Sequence, residues 1–218
     1  MPHAASVWLL DCRTFADEAL ARFAGWLDRS EVQRLERFVR PERRRQYLAG
    51  HALARQALGR LLELPPETVG LVEQPGAAPL AVVPGGGTCG LSISHSGHWV
   101  ACAASATTRV GLDIELIDAT RDIDQLAAQA FDPEQQAWLA KRPAATRMRD
   151  FYQLWSAAEA RFKLQAPCAD QIEFSHPALS VVLCCEHALA LRPQLQAATL
   201  ENPRSPTAPI PSERGFRN

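Results

Sequence analysis

The chain has 218 residues, of which 47% are apolar and 22% charged, with a net charge of −1. That balance is that of a soluble globular protein with room for one large domain or two small lobes, and it excludes collagen-like, wholly disordered and membrane-spanning classes. No run of about 18 apolar residues is present to cross a membrane, and the near-neutral total excludes a chain-wide polyanion binder.

The N-terminus lacks a basic flank and a small-residue cleavage pattern, so Ser6 to Leu10 reads as a first strand and not as a signal segment. Phe15, Ala19, Leu20, Phe23 and Leu27 recur at helical spacing. Ser30 followed by Gln33 resembles a capping box that opens a short helix through Phe38. Pro41 suits the first turn of a longer helix that runs to Leu62 and is ended by Pro65 and Pro66. Residues 70–90 are rich in Gly and Pro and read as loop with at most short strands.

Three strands follow as a meander: Leu91 to His95, Trp99 to Ala104 and Arg109 to Leu116. The second half returns to helix at Ile123 to Phe131, at Pro133 to Lys141 with Asp132 as N-cap, and most strongly at Thr146 to Gln165. In the last of these Phe151, Leu154, Trp155, Ala158 and Phe162 step by three and four. Gln171 to Ser175, Leu179 to Cys185 and Ala188 to Leu191 are short strand candidates, and prolines 203, 206, 209 and 211 predict a disordered tail from Asn202. This order gives an N-terminal lobe over 1–108, a C-terminal lobe over 109–201 and a tail over 202–218. The six cysteines form no CxxC pair; they read as small core residues of a reduced, cytoplasmic protein.

Four groups of residues can carry chemistry. In Gly111-Leu112-Asp113-Ile114-Glu115, alternation puts Asp113 and Glu115 on one strand face and Leu112, Ile114 and Leu116 on the other. Paired carboxylates repel unless a cation lies between them, and a hard ion such as Mg²⁺ answers that need; a solvated strand face is the plainer alternative. Trp155, Glu159 and Lys163 are four apart on one helix face, either as a third carboxylate with a phosphate-contacting lysine or as a simple surface ion pair. Leu91-Ser92-Ile93-Ser94-His95-Ser96 presents hydroxyls and a histidine to an anion, or else a Ser–His nucleophile without the GxSxG elbow. Between Arg34 and Arg60, eight arginines stand against Glu36 and Glu42, a net +6 that suits phosphate recognition or a solvated helix face. No nucleic-acid-binding pattern accompanies them.

The order and spacing of these groups resemble the Sfp-type 4′-phosphopantetheinyl transferase family. The resemblance is carried by Leu91-Ser92-Ile93-Ser94-His95-Ser96, by Val110-Gly111-Leu112-Asp113-Ile114-Glu115 and by Trp155-Ser156-Ala157-Ala158-Glu159-Ala160-Arg161-Phe162-Lys163. It implies an α+β fold, a pseudo-dimer of two similar α/β lobes with coenzyme A in the cleft between them. It further implies an Mg²⁺-dependent enzyme that moves the phosphopantetheine arm to a serine of an acyl or peptidyl carrier protein and releases 3′,5′-ADP. By the same carry-over Asp113, Glu115 and Glu159 hold Mg²⁺, Glu159 and Lys163 act in catalysis, and Ser94 and His95 hold phosphates. Arg34, with Arg37, Arg44 or Arg45, meets the 3′-phosphate, and Pro79 lies near the adenine. A monomer without nucleic-acid or membrane partners is expected. Two positions depart from the family pattern: Ala158 replaces a lysine, and Gly76-Ala77-Ala78-Pro79 replaces a loop with a basic residue before the proline. They motivate the alternative of a weakened member that binds coenzyme A or carrier without efficient turnover.

Overall fold

The computed structural model describes residues 2–74 and 78–201. The expected tail over 202–218 and two residues of the altered loop, Gly76 and Ala77, lie outside the described residues.

Strand β1 (Ser6–Asp11) leads through a short 3₁₀ turn into helix α1 (Asp17–Ala21) and a second 3₁₀ turn, where one longer helix was expected. Helix α2 (Arg29–Arg37) is capped by Asp28 and not by Ser30. The Asp28 carboxylate accepts from the Glu31 amide at 2.8 Å and Glu31 Oε2 accepts from the Asp28 amide at 2.8 Å. A carboxylate satisfies the free helix donors more strongly than a hydroxyl, and Ser30 only donates to it. Helix α3 (Pro41–Leu62) begins with Pro41 in its first turn, as expected, and ends at Glu63 in the left-handed conformation.

The Gly/Pro-rich stretch forms only a small hairpin, β2 (Gly70–Val72) with β3 (Leu80–Val82). Strands β4 (Gly90–Ser96), β5 (Trp99–Ser105) and β6 (Val110–Leu116) follow. Helices α4 (Ile123–Ala130), α5 (Pro133–Ala140) and α6 (Ala144–Leu164) come next, α5 opening on the predicted Asp132 cap. Strands β7 (Asp170–Phe174), β8 (Leu179–Cys185) and β9 (Leu195–Ala197) complete the order.

The meander does not stay in one sheet. The first sheet has the order β4-β5-β1-β9 and the second β6-β8-β7. The last strand also falls elsewhere than expected: residues 188–191 contribute only an isolated bridge from Leu189 to His3, and β9 pairs in parallel with β1. The chain thus returns to the first lobe before residue 201, and Leu200 joins that lobe's core.

Four layers result. Trp8, Leu10, Val100, Cys102 and Ala104 point from the first sheet to α3, whose Ala49, Leu53 and Ala57 pack on them. Their neighbours Val7, Leu9, Ala101 and Ala103 point the other way, onto Leu112, Ile114, Val181 and Leu183 of the second sheet. Val182 and Cys184 then face Ala157, Ala160 and Leu164 of α6. Both faces of β1, β5 and β8 are covered, which is why these strands are apolar runs and not alternating ones. Each lobe is a sheet with one long helix across it, and the sheets meet in the middle. This is the α+β pseudo-dimer that the resemblance implied.

At the seam β4 and β6 run side by side as parallel edge strands without a backbone ladder. Ser92, Ser94 and Ser96 turn their hydroxyls to β6 and accept from the amides of Leu112, Ile114 and Leu116 at 2.9, 3.2 and 2.9 Å. These hydroxyls satisfy edge amides that would otherwise be buried without partners.

Candidate active site

The site forms where the seam meets α6. Gly111 makes the approach possible: a Cβ there would lie 2.0 Å from the Ala160 carbonyl oxygen and 2.6 Å from the Leu164 amide nitrogen. With no side chain in the way, α6 lies directly on β6 and brings Lys163 to Asp113.

Asp113 is 4% exposed. Its Oδ1 accepts from Lys163 Nζ at 2.7 Å and from the Ser94 hydroxyl at 3.0 Å, while Oδ2 is buried and has no partner. Glu115 points to the same side and accepts from the Ser96 hydroxyl at 2.8 Å. Burial, and then the charge of Asp113, push the Glu115 carboxyl above its usual range, against the Ser96 hydrogen bond. Strand alternation therefore gave the carboxylate pair correctly. Glu159 and Lys163 line one cavity, whereas Trp155, expected on the same face, packs against Phe151 with ring centroids 6.1 Å apart.

Lys163 Nζ also donates to Ser94 Oγ at 3.0 Å and to the Leu112 carbonyl at 3.2 Å, so its three protons all have acceptors inside the protein. The Ser94 hydroxyl is saturated too: it donates to Asp113 and accepts from Ile114 N and Lys163. Ser94 is 4% exposed, and each hydrogen bond of its hydroxyl is made within the protein. It joins Asp113 to Lys163.

The cavity holds about 310 Å³ between α3, β4 and α6. His95 lies in its wall with Arg43 Nη1 2.7 Å from Nε2 and 2.9 Å from Nδ1. Burial, then the charges of Arg43 and Lys163, lower its pKa to about 4. The imidazole is therefore neutral at pH 7, and the positive charge beside it is that of Arg43.

The arginines divide sharply. Arg34 lines the cavity and pairs with Glu73 at 3.3 Å. Arg43, absent from the sequence-based candidates, lines it too. Arg45 faces the other way, bound to Asp17 and to the Cys12 and Phe15 carbonyls, and Arg44 lies with it beside α1. Arg37 is exposed on α2 outside the cavity. Their spacing carried the signal: Arg43, Tyr47, His51 and Arg55 are four apart and occupy one side of α3, while 44 and 45 fall off that stripe. Pro79 and Ala78 line the cavity.

Behind the cavity the stripe meets a buried ionic cluster. Glu31 (0% exposed) accepts from both Arg55 amino groups at 2.9 and 2.6 Å and meets His51 Nδ1 at 2.5 Å. Burial alone would raise the Glu31 pKa, but the bonds from His51 and Arg55 outweigh it and hold the carboxyl below its usual range. His51 Nε2 lies 3.4 Å from Glu73, to which the Tyr47 hydroxyl donates at 2.6 Å. The sequence reading counted Arg55 in a basic segment and missed the cluster.

Among the described residues no three His, Cys, Asp or Glu side chains form a ready metal cluster. The donor set nonetheless fits a hard divalent cation in chemistry: a buried, partnerless carboxylate oxygen on Asp113 stands beside a carboxyl whose charge Asp113 opposes. No described helix is long and apolar enough to cross a membrane.

Comparison with known proteins follows the two lobes. The sequence model of the 4′-phosphopantetheinyl transferase superfamily matches residues 109–201, and that of the 4′-phosphopantetheinyl transferase N-terminal region matches residues 16–107. The 4′-phosphopantetheinyl transferase HetI of Nostoc sp. is 30% identical over 149 residues, covering 67% of this chain and 62% of the relative. The 4′-phosphopantetheinyl transferase Sfp of Bacillus subtilis is 27% identical over 152 residues, 69% of this chain and 65% of the relative. The 4′-phosphopantetheinyl transferase gsp of Aneurinibacillus migulanus is 28% identical over 138 residues, 63% and 55%. The matches thus span less than two thirds of these relatives' lengths. With both lobes matched in order, and the motif residues gathered at one seam, the chain belongs to the 4′-phosphopantetheinyl transferase superfamily.

Proposed function

We propose that the protein transfers the 4′-phosphopantetheine arm of coenzyme A to a serine of an acyl or peptidyl carrier protein, releasing 3′,5′-ADP. The observation that carries this reading is the buried Asp113, whose Oδ2 has no partner and whose Oδ1 is tied to Lys163, a residue of the cavity walled by Glu159, His95, Arg34 and Arg43.

In this reading Asp113, Glu115 and Glu159 would hold Mg²⁺, which when bound neutralises charge on the transferring phosphoryl group. Arg34 and Arg43 bind the anionic nucleotide end, as forked donors suit phosphate oxygens. Lys163 exchanges one of its internal acceptors for a pyrophosphate oxygen, to which it donates. Glu159 accepts the proton of the attacking serine hydroxyl. Arg37, Arg44 and Arg45 have no part in it.

The protein is read as a cytoplasmic monomer with neither nucleic acid nor membrane as partner. Its basic stretch supports the first exclusion, because Arg45, Arg55 and Arg60 are already paired with carboxylates of the chain. The matched relatives all carry the name of transferases, which gives no support to a turnover-deficient member.

The test is intact-mass analysis of apo carrier proteins incubated with coenzyme A and Mg²⁺. One added phosphopantetheine mass is expected, lost on chelation and in Asp113→Ala. A panel of fatty-acid, polyketide and peptide carriers that all stay unmodified by the native chain would overturn the reading.

A further inference from the structure

Phe162 is 68% exposed, an unusual state for a large aromatic ring on a helix whose next turn is packed on a sheet. It lines the same cavity as Arg34, Arg43, Lys163 and Pro79. The cavity's other rings are engaged: Phe38 meets Tyr47 at 5.4 Å, Arg43 stands 5.8 Å above Phe38, and Tyr47 lies 4.0 Å from His51. Among the described residues no ring or cation stacks on Phe162. An aromatic face is thus presented to a cavity whose charged groups suit phosphates.

We propose that Phe162 is the stacking platform for the planar base of the nucleotide that this cavity takes. It thereby becomes a specificity-determining residue for the adenine-bearing end of coenzyme A. The inference rests on the transferase reading for the identity of the ligand. It rests on this chain's own side chains for the contact: Arg34 is held by Glu73 and Arg43 by Phe38 and His95, which leaves the Phe162 ring as the exposed π face, and a cavity of about 310 Å³ is at the lower end for small-molecule sites, so base and phosphates must share it closely. Stacking needs only a π face on each partner. Phe162 also lies beside Lys163 in sequence, so a base held on its ring has its phosphates within the same helix turn as that ammonium.

The experiment is calorimetric titration, without Mg²⁺, of the native chain, Phe162→Ala and Phe162→Trp with 3′,5′-ADP and with inorganic pyrophosphate. Affinity for 3′,5′-ADP should fall roughly tenfold in Phe162→Ala and recover in Phe162→Trp. Pyrophosphate affinity should not change. In turnover the loss should appear in KM for coenzyme A, with KM for the carrier unaltered. Equal 3′,5′-ADP affinity in the native chain and Phe162→Ala, or no binding by the native chain, overturns the proposal. So does a rise confined to the carrier KM, which would assign the ring to a protein contact. A native chain that binds 3′,5′-ADP through Phe162 yet transfers nothing keeps this inference and removes the transferase reading. One that transfers normally with Phe162→Ala unaffected does the reverse.

Discussion

Substituting Gly111 by alanine tests whether the closeness of α6 to β6 is what makes the site. The new methyl would sit 2.0 Å from the Ala160 carbonyl oxygen, 2.6 Å from Leu164 N and 3.0 Å from Leu164 Cα, all backbone atoms of α6. Side-chain carbons do not approach closer than 3.0 Å, so the helix must retreat by about 1 Å, and no rotamer change can relieve it. Such overpacking costs about 1–3 kcal/mol, or roughly 2–12 °C in melting temperature for a chain of this size. The functional cost should be larger. A retreat of about 1 Å stretches the 2.7 Å contact of Lys163 with Asp113 beyond hydrogen-bond range and displaces Glu159 with it. A misplacement of that size costs about 10²-fold in rate. The assay is transfer to a carrier followed by intact mass, beside thermal unfolding of the same sample. Gly90→Ala is the control, since its methyl would meet the Thr108 carbonyl oxygen at 2.1 Å, away from α6; it should lower stability with little loss of rate in the folded fraction. Native rates in Gly111→Ala would refute the argument, whatever the melting temperature.

Arg55→Met should strand the Glu31 charge in the core and cost about 3–5 kcal/mol, about 6–20 °C in melting temperature, whereas Glu31→Leu combined with it should recover part of the loss; equal melting of single and double variants would contradict this. His95 has its folded pKa lowered to about 4, below the unfolded value near 6.5, so the unfolded chain binds more protons between those values. Its contribution to stability is full above pH 6.5 and fades as pH falls toward 4, and denaturant unfolding of His95→Gln should show a shallower pH slope in that window. Identical slopes would remove the assignment. Ser92→Ala leaves the Leu112 amide without its acceptor and should cost about 1–3 kcal/mol, with faster hydrogen exchange at that amide.

Much of this molecule was legible because local chemistry and tertiary position agreed. Alternation along β6 separated Asp113 and Glu115 from Leu112 and Ile114, and the fold uses both faces as that pattern requires. Asp132 and Pro133 announced α5, because a capping carboxylate and a proline in the first turn act locally. What failed was non-local. Ser30 looked like a cap only while Asp28, two residues earlier, was not weighed against it. Arg44 and Arg45 were candidates where Arg43 was not, since their separation depends on which side of α3 meets the sheet. The return of β9 to β1 follows from an edge left open by a strand some 190 residues earlier, and nothing in the composition of residues 195–197 signals that.

The serine seam has a consequence for how the two halves stay matched. In an ordinary sheet a neighbouring strand can slip by two residues and find equivalent amides and carbonyls again, because every residue carries both. Here the acceptors are side chains of only three residues, and the positions between them are Ile93 and His95. A slip by one residue would bring an apolar side chain and a cavity histidine against the amides of β6, and a slip by two would leave one amide facing Gly90 or a position past Ser96. The alternation of serine in β4 therefore works as a key cut for one alignment of the halves, and that alignment also sets Asp113 opposite Ser94. Inserting or deleting a residue in the turn at Gly97, which leaves β4 untouched, should be tolerated; the same change within 92–96 should uncouple the lobes and the carboxylate site together.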